Sequence, residues 1–440
     1  MTTVDPSAAA DRVVAAALHD FRETDHRGVV VDSPPGAGKS TLVVRASTEM
    51  AADGETVMVV AQTNAQVDDL IDRMARHAPG VTIGRLDGTD YVPDRRIAHP
   101  NVAHSRKLDE LGRPQITIAT AKKWSYVKDV SWQRAIIDEA YQMRSDALLQ
   151  VARLFDEALF VGDPGQLDPF STMELDRWAG LPWDPMQSAV AAMQRSNPEL
   201  PVHQLPVSWR LSAEAAPVVS TAFYPFTPFD AGTGPGQRQM GFTTRPLRRG
   251  AVDDTLEMAA TTGWALHELP RQHTMRTDAD AVEAIVTIAL RLLERGTVVT
   301  SAPDQVEQPV TANRIAIGAA HRDQVAAIER ELTARGGADI TVDTANRLQG
   351  AEFDVVIVLH PLSGRRDATA FHLESGRLCV LTSRHRHACI VVARAGIQEL
   401  LDAHPTSEPM HIDVPAKFPD GWAANHSMLE HLRRHRNPAA

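Results

Sequence analysis

The stretch Ser33-Pro34-Pro35-Gly36-Ala37-Gly38-Lys39-Ser40-Thr41 decides the fold of this 440-residue chain. The apolar run Gly28 to Asp32 precedes it, and helix-forming residues follow it. A strand that enters a glycine-rich turn with lysine and hydroxyl groups is typical of a phosphate-binding loop. We expect Pro35 to Thr41 to bind a nucleoside triphosphate, with Lys39 on its β- and γ-phosphates and the Ser40 hydroxyl on Mg²⁺. The alternative is a chance Gly-Lys-Ser turn, and the flanking strand and helix argue against it.

The composition is that of an ordinary globular protein, with 43% hydrophobic and 23% charged residues in a chain long enough for two or three domains. The net charge of −11 means that any nucleic acid must bind to a local basic surface. Cys379 and Cys389 lack companions at metal-binding spacing, so we expect core thiols in a reducing cytoplasm and no structural metal. No apolar run approaches the roughly 18 residues of a membrane span, and no signal peptide is recognisable. We therefore expect a cytoplasmic protein without a membrane partner.

Strand-length apolar runs alternate with segments of helical periodicity, which predicts parallel sheets covered by helices. One series of runs lies in the first half of the chain, with a helix expected at Ala65 to Arg76. A second series has helices expected at Asp278 to Arg295, where Thr277 or Asp278 can act as N-cap, and at Gln324 to Arg335. Two α/β domains follow from the two series. The runs are Val57 to Ala61, Ile116 to Ala119, Ala135 to Asp138 and Leu159 to Gly162, then Ile315 to Ala319, Ile340 to Asp343, Val355 to His360 and Ala388 to Ala393.

Two segments interrupt this rhythm. Gly80 to Pro114 is rich in Pro, Gly, Asp and His and is interpreted as an insertion, and Phe226 to Arg249 is rich in Pro, Gly and Arg. Neither segment has a fold that the sequence predicts. Arginines at 238–249 and 433–436 could line a nucleic-acid path or be ordinary solvated surface.

Two acidic residues, Asp138 and Glu139, follow the run Ala135 to Ile137. A carboxylate at the end of a buried strand can hold Mg²⁺, and an adjacent glutamate can act as general base on the attacking water. The alternative is a helix N-cap with a second acid for the helix dipole. A later turn, Gly162-Asp163-Pro164-Gly165-Gln166, also follows a strand and could bring Gln166 to the γ-phosphate.

With these three segments in this order, the chain resembles the superfamily 1 helicases. The forms Asp138-Glu139-Ala140-Tyr141-Gln142 and Gly162 to Pro169 are most similar to the 5′-to-3′ branch that includes the nonsense-mediated-decay helicase. Further matches continue in order to about residue 393. They are Ala61 to Asp68 (motif Ia), Ala119-Thr120-Ala121 (the short motif before motif II), Ser208-Trp209-Arg210 (the aromatic–arginine pair), Val342 to Asp354 (motif V) and Arg377 to Arg384 (motif VI).

The resemblance implies an α/β fold of two tandem RecA-like P-loop domains with parallel sheets and an ATP cleft between them. The first domain would cover 1–205 with a short insertion at about 78–114, the second 206–397, and a C-terminal tail 398–440. The implied cofactors are ATP and Mg²⁺, with the metal on Ser40 and Asp138. The catalytic residues would be Glu139, Gln166, Arg210 and Arg384, the last as arginine finger.

The remaining residues that the resemblance implies would bind the nucleotide or the nucleic-acid strand. Trp209 would stack on the base, and Gly350 and Glu352 would meet the ribose. The nucleic-acid backbone would contact Thr63, Asn64, Thr120 and Thr344.

The implied function is ATP-dependent movement on single-stranded DNA or RNA, 5′ to 3′, with a recruiting protein as a further partner. One alternative is an ATP-switched nucleic-acid clamp or assembly factor without strand separation. Another, a P-loop regulator that ignores nucleic acid, leaves motifs Ia and V unexplained.

The departures from the family pattern are informative. The upstream glutamine that reads adenine has no counterpart near Ala10 to Val14, so selectivity between bases is expected to be weak unless Val4 to Pro6 or Phe21 to Arg27 supply it. The segment Ala319-Ala320-His321-Arg322 stands where the family has Thr-Pro-Tyr-Arg and lacks a phosphate-contacting threonine. Structural alternatives for Trp209 and Arg210 are a core aromatic and a solvated residue.

Overall fold

The computed structural model describes residues 5–24, 26–167, 187–301, 306–405 and 419–438. These residues divide into two units. The first takes in the described residues up to Pro164 and 187–206, and the second takes in Gly165–Leu167 and the described residues from Val207 onward. Val4, Asp168 and Pro169, which sequence analysis singled out, lie outside the described residues.

The first unit is built on one sheet of eight parallel strands in its described part. Its strands are β1 (Gly28–Asp32), β2 (Val57–Ala61), β3 (Ile83–Leu86), β4 (Val102–Ser105), β5 (Ile116–Thr120), β6 (Trp132–Asp138), β7 (Phe155–Gly162) and β8 (Val202–Gln204). Its helices are α1 (Pro6–Glu23), α2 (Lys39–Ala52), α3 (Asn64–His77), α4 (Ala121–Trp124), α5 (Ser145–Val151) and α6 (Ala189–Ser196). The strand order is β4-β3-β5-β2-β6-β7-β1-β8.

Helices cover both faces of this sheet, because alternate strand residues point in opposite directions. Val29 and Val31 of β1 pack with α1 to α3 in one core cluster, whereas Val30 packs with Trp124 and Trp132 in another. Because all eight strands are parallel, their carboxyl ends share one edge of the sheet. This edge is where ligands bind in open parallel sheets.

The segment interpreted as an insertion contributes to this sheet. It contains β3 and β4, and β3 pairs with β5 in parallel. The sequence did not predict these strands because β3 carries an arginine, Arg85, at a buried position. Arg85 is accommodated there by ion pairs with Asp68 and Asp87, both at 2.8 Å.

The second unit has a six-stranded parallel main sheet in its described residues, in the order β16-β15-β17-β18-β12-β19. The strands of the unit are β9 (Val207–Ser208), β10 (Asp230–Ala231), β11 (Arg238–Phe242), β12 (Trp264–Leu269), β13 (Thr297–Ser301), β14 (Gln308–Pro309), β15 (Ile315–Ala319), β16 (Thr341–Thr344), β17 (Phe353–Leu359), β18 (His385–Arg394) and β19 (Arg436–Pro438). Its helices are α7 (Ala216–Phe223), α8 (Ala251–Thr262), α9 (Ala279–Glu294), α10 (Arg322–Ala334), α11 (Ala345–Leu348), α12 (Ala370–Leu373), α13 (Ser375–Thr382), α14 (Ile397–Ala403) and α15 (Gly421–Arg434).

Two core clusters lie on opposite faces of this main sheet, one with α8 to α10 and the other with α7, α13 and α15. Asp278 caps α9 by accepting from the Ala281 N–H at 3.2 Å, as predicted. Cys379 and Cys389 are buried free thiols in the second cluster, which confirms that they are core residues. None of the helices in the described parts of the chain combines the length and apolarity needed to cross a membrane.

The prediction of a tail at 398–440 is wrong for residues 419–438. Helix α15 buries Ala424, Met428 and Leu432 in the core, and β19 pairs with β12 as an edge strand. Apolar residues at i, i+4 and i+8 give α15 a core-facing stripe, which explains why it docks. The arginines of this segment are solvated, and Arg436 pairs with Glu268 at 3.1 Å.

Candidate active site

The glycine-rich loop joins β1 to α2 at the carboxyl edge of the first sheet. Gly36 and Gly38 have φ values of 73° and 91°, which side chains disfavour, and Gly38 is the N-cap of α2. The Ser33 N–H donates to the Gly162 carbonyl at 2.7 Å and fastens the loop to β7. Such a turn before a helix N-terminus exposes backbone N–H groups to an anion.

Lys39 is the cation of this loop. Its Nζ forms an ion pair with Glu139 Oε1, and both side chains are largely buried. Burial acts to lower the pKa of Lys39, but the carboxylates of Glu139 and Asp138 outweigh it and hold the pKa above its ordinary value. The lysine is therefore charged, and an incoming phosphate would compete with Glu139 for it.

Asp138 ends β6, next to Glu139. It is 3% exposed, and its Oδ1 has no hydrogen-bond partner among the described residues. Burial raises its pKa to about 7, opposed by the positive charge of Lys39. A buried carboxylate oxygen without a donor is costly, and a divalent cation would compensate for it. Carboxylate and hydroxyl oxygens, such as those of Asp138 and Ser40, are the hard ligands that suit Mg²⁺.

Glu139 has a backbone conformation that is rare for a side-chain residue, with φ of 53°. The turn is fixed by the Ala140 N–H on the Val161 carbonyl (3.0 Å) and the Gln142 N–H on the Glu139 carbonyl (2.9 Å). Strain of this kind concentrates at functional sites. The alternative of a helix N-cap is excluded, because the next helix begins at Ser145.

The residues predicted to contact nucleic acid in the first unit lie at the ends of two neighbouring strands, β2 and β5. The Thr63 hydroxyl accepts from the Gln66 N–H at 3.3 Å, and the Asn64 side-chain oxygen accepts from Arg85 at 3.1 Å. The Thr120 hydroxyl accepts from the Lys123 N–H at 3.3 Å. These groups therefore occupy the same sheet edge as the glycine-rich loop.

In the second unit, Arg210 and Glu352 are brought together. Arg210 is 9% exposed and donates to Glu352 Oε2 (3.3 Å) and to the Ser383 carbonyl (3.4 Å), so it is not the solvated residue of the alternative interpretation. Glu352 also accepts from Arg386 at 3.2 Å. Gly350 turns the chain before Glu352 with φ of 81°.

Arg384 is almost completely buried, at 1% exposure. Its guanidinium donates to the Val380 carbonyl (3.2 Å) and the Ser383 hydroxyl (3.0 Å), and it forms no ion pair with any described residue. A buried cation without an anionic partner is unfavourable. Such a group is suited to receive a negatively charged ligand after a change of rotamer.

Trp209 is 39% exposed, so it is not a core aromatic. Gly232 lies against its ring, and a Cβ at position 232 would overlap the ring atoms. The Trp209 carbonyl accepts from Arg238. One face of the indole is thus supported by backbone.

The two remaining predicted residues, Gln166 and Thr344, belong to the second unit. Gln166 accepts from the Gln349 side chain at 2.7 Å, next to motif V. Thr344 ends β16 and precedes α11, beside the end of β15.

Sequence reasoning missed Arg238 and Arg386 as individual residues. Arg238 donates to the Trp209 and Arg386 carbonyls, and burial and the charge of Arg386 lower its pKa to about 10. Arg386 could have been recognised from its position two residues after Arg384 in the sequence.

Two family models, both described as AAA domain, match this chain at residues 14–175 and 187–396. Among curated proteins, the DNA-binding protein SMUBP-2 of Rattus norvegicus is 21% identical over 455 aligned residues, covering 89% of this chain and 43% of that protein. The DNA replication ATP-dependent helicase/nuclease DNA2 of Saccharomyces cerevisiae is 26% identical over 156 residues, covering 33% and 10%. The chain thus spans less than half the length of these relatives.

Solved structures with a similar chain course include Arterivirus nonstructural protein 10 (helicase), with a TM-score of 0.45 and 14% identity over 88% of this chain and 61% of that chain. Its complex with DNA gives a TM-score of 0.44 and 14% identity, covering 90% and 65%.

The glycine-rich loop, the parallel sheets and the two matching models define a P-loop nucleotide-binding protein with two AAA or RecA-like domains. The predicted fold class is confirmed. Within this class the chain is similar to SMUBP-2 over most of its length and to the helicase/nuclease DNA2 over a third of it, which supports the resemblance to superfamily 1 helicases found in the sequence.

Proposed function

We propose that this protein hydrolyses ATP and uses the energy to move along single-stranded DNA or RNA in the 5′-to-3′ direction. One observation carries the proposal. The phosphate loop, Asp138 and Glu139 occupy the same sheet edge as Thr63, Asn64 and Thr120, and β6 and β5 are the two neighbours of β2. Nucleotide and strand would therefore be held by adjacent strand ends of one rigid sheet.

The ion pair between Lys39 and Glu139 suggests how binding prepares the reaction. A γ-phosphate that forms an ion pair with Lys39 would break the ion pair between Lys39 and Glu139. The Glu139 carboxylate can then accept a proton from the attacking water. Ser40 and Asp138 would hold Mg²⁺, which when bound offsets the negative charge of the phosphates. Gln166 would orient the water or the γ-phosphate.

For the second unit we propose that Trp209 stacks on the base, Gly350 and Glu352 meet the ribose, and Arg210 and Arg384 reach the γ-phosphate. Thr344 would contact the strand. The domains would be 1–205 and 206–397, extended by α15 and β19. An arginine that arrives at the γ-phosphate stabilises transition-state charge without being needed for nucleotide binding.

The second candidate is an ATP-switched nucleic-acid clamp without strand separation. It is favoured by β3 and β4, because the segment interpreted as an insertion completes the sheet instead of forming a domain that could divide a duplex. Two measurements discriminate: ATP turnover with and without matched single-stranded DNA and RNA, and displacement of a duplex with 5′ or 3′ tails. Stimulated turnover with displacement supports a helicase, and strand binding without displacement supports the clamp. Turnover that neither strand stimulates would contradict both.

Lys39→Ala and Glu139→Gln should separate binding from hydrolysis. The first variant loses the main cation on the phosphates, so nucleotide affinity should fall. The second keeps the phosphate contacts but lacks the base, so it should retain ATP and strand while turnover falls by about 10² or more. Nucleotide titration and phosphate release measure the two effects, with Glu199→Gln as an exposed control on the same unit. Equal loss of affinity in both variants would contradict the assigned roles.

Arg384→Ala should reduce turnover by about 10³ with little effect on ATP affinity, since arginine fingers act on the transition state. The matched control is Arg330→Ala, an exposed arginine of α10. A loss confined to nucleotide affinity would mean that Arg384 holds the ground state or only supports the fold.

A further inference from the structure

A cavity of about 330 Å³ lies at the carboxyl edge of the second unit's main sheet. It is formed by the loops that follow three neighbouring strands, β12, β17 and β18. Thr344 ends β16 and His321 comes shortly after β15, at the same edge of the same sheet. No motif that carries the family resemblance includes the loops of this cavity.

Four of the described residues that line the cavity are arginines. Arg394 is neutralised by Asp278, at 2.6 and 2.7 Å, and by Asp280 at 2.7 Å. The other three, Arg271, Arg365 and Arg366, form no ion pair with any described residue, and Glu399 is the acidic residue of the lining. The cavity therefore keeps a net positive charge, which suits an anion.

The walls of the cavity are fixed by hydrogen bonds between its loops. The Thr274 N–H donates to the Gly364 carbonyl, the Ala395 N–H to the Leu269 carbonyl, and Arg365 to the Met275 carbonyl, each at 2.9 Å. Arg271 packs on Gly396, which has φ of 106° and where a Cβ would lie 3.1 Å from Arg271 Nε. The Arg365 guanidinium is held in this way, so it loses little entropy when it binds a phosphate.

Arg365 connects the cavity with the position of the family's phosphate-binding motif. His321 Nε2 lies 3.0 Å from His372 Nε2, and the charge of Arg365 adds to burial in lowering the pKa of both histidines. Arg365 is therefore near His321, the residue that stands in the altered Ala319-Ala320-His321-Arg322 segment. The chain lacks the threonine with which that motif contacts a phosphate, and a nearby basic site would replace this contact with the strand.

We propose that the cavity lined by Arg271, Arg365 and Arg366 binds a phosphodiester of the single-stranded nucleic acid and extends the strand path from His321 across the ends of β17, β18 and β12. This inference rests on the proposed function. Arginine recognises phosphate through parallel N–H donors, and such contacts are independent of base sequence.

The test is the double variant Arg271→Ala/Arg366→Ala in the full chain. Both side chains are exposed and make no hydrogen bond with a described residue, so the fold should be unaffected. Anisotropy of labelled single-stranded DNA and RNA is measured between 50 and 200 mM salt, beside ATP turnover without a strand. Loss of the contact to this one phosphodiester should make the slope of log K against log salt shallower by about 0.7 for any sequence. Turnover without a strand should stay unchanged, and Arg330→Ala is the control.

Each outcome decides the inference. Equal affinity and equal salt slope in wild type and double variant would overturn it and leave the proposed function standing. A wild type that binds neither strand would overturn both. Inorganic tripolyphosphate distinguishes the source of the anion: if it stabilises only the wild type against heat while strand binding is the same in both proteins, the cavity serves a free polyphosphate and the strand proposal fails. Charge reversal to Arg271→Glu/Arg366→Glu should enlarge the effect of a true contact.

Discussion

At the scale of single residues, the position of Trp209 depends on Gly232. Because a Cβ at 232 would overlap the indole, Gly232→Ala should displace the ring and weaken nucleotide binding, approaching the roughly 1 to 3 kcal/mol of a lost base stack. Gly234→Ala is the matched control, since its Cβ would meet only the flexible Gln237 side chain at 3.5 Å.

The measurement is titration of ATP and GTP. Stacking is indifferent to the base, so the loss should be equal for both, and wild type should prefer ATP by less than about tenfold, or 1.4 kcal/mol. A larger preference would mean that another group reads the adenine edge. Unchanged affinity in Gly232→Ala would show that Trp209 does not stack on the base.

Residue types at the site could be predicted because the chemistry requires them in a fixed order. Lys39, Asp138 and Glu139 were recognisable from spacing after a strand. The burial of Arg384 and the pairing of Glu352 with both Arg210 and Arg386 could not be predicted, since they depend on side-chain packing between segments distant in sequence.

At the scale of elements, α15 is part of the core of the second unit. Met428 is fully buried, so Met428→Ala should lower the free energy of unfolding by about 2 to 5 kcal/mol. Arg433→Ala on the exposed face of the same helix should change it by less than about 0.5 kcal/mol. Urea unfolding of the full chain measures both, and equal small effects would mean that α15 is detached in solution.

The predicted strands agree with the structure to within a few residues wherever a buried apolar run marks them, as in β2 and β15. The sequence failed to predict the edge strands β4 and β19 and the interior strand β3, because all three are short and contain polar residues instead of an apolar run. The spacing of Ala424, Met428 and Leu432 is typical of a helix with one apolar face, so the sequence does contain a signal for α15.

At the scale of the whole molecule, buried histidines make the second unit sensitive to acid. Burial is the largest cause that lowers the pKa of His360, His372 and His431 to about 4 and that of His385 to about 3. The pKa values in the folded state lie below the ordinary 6.5 of an unfolded chain. The contribution of these neutral histidines to the free energy of unfolding is therefore fully present above about pH 6.5 and is lost as the pH falls toward 4.

We therefore expect the strands β17 and β18 to lose hydrogen-exchange protection between pH 7 and pH 5 more than β6 and β7 of the first unit, after correction for intrinsic rates. In His360→Asn, unfolding should take up one proton fewer at most. The free energy of unfolding should then change less steeply with pH, by up to about 1.4 kcal/mol per pH unit. Asparagine preserves an acceptor for the Leu362 N–H, which His360 Nδ1 accepts at 3.2 Å. An identical pH dependence in the variant would mean that His360 does not titrate on unfolding.

The pairing of β19 with β12 has a consequence for how the protein is made. The strands that β1 needs as neighbours, β7 and β8, have been synthesised by residue 204, whereas β12 waits for residues 436–438 to emerge. From Leu269 to Pro438 the ribosome adds 169 residues, so at roughly 5 to 20 residues per second that wait lasts about 8 to 34 s. During this time the edge of β12 that later pairs with β19 has unpaired backbone N–H and C=O groups. Strand β12 is therefore a defined segment for nascent-chain chaperones to protect.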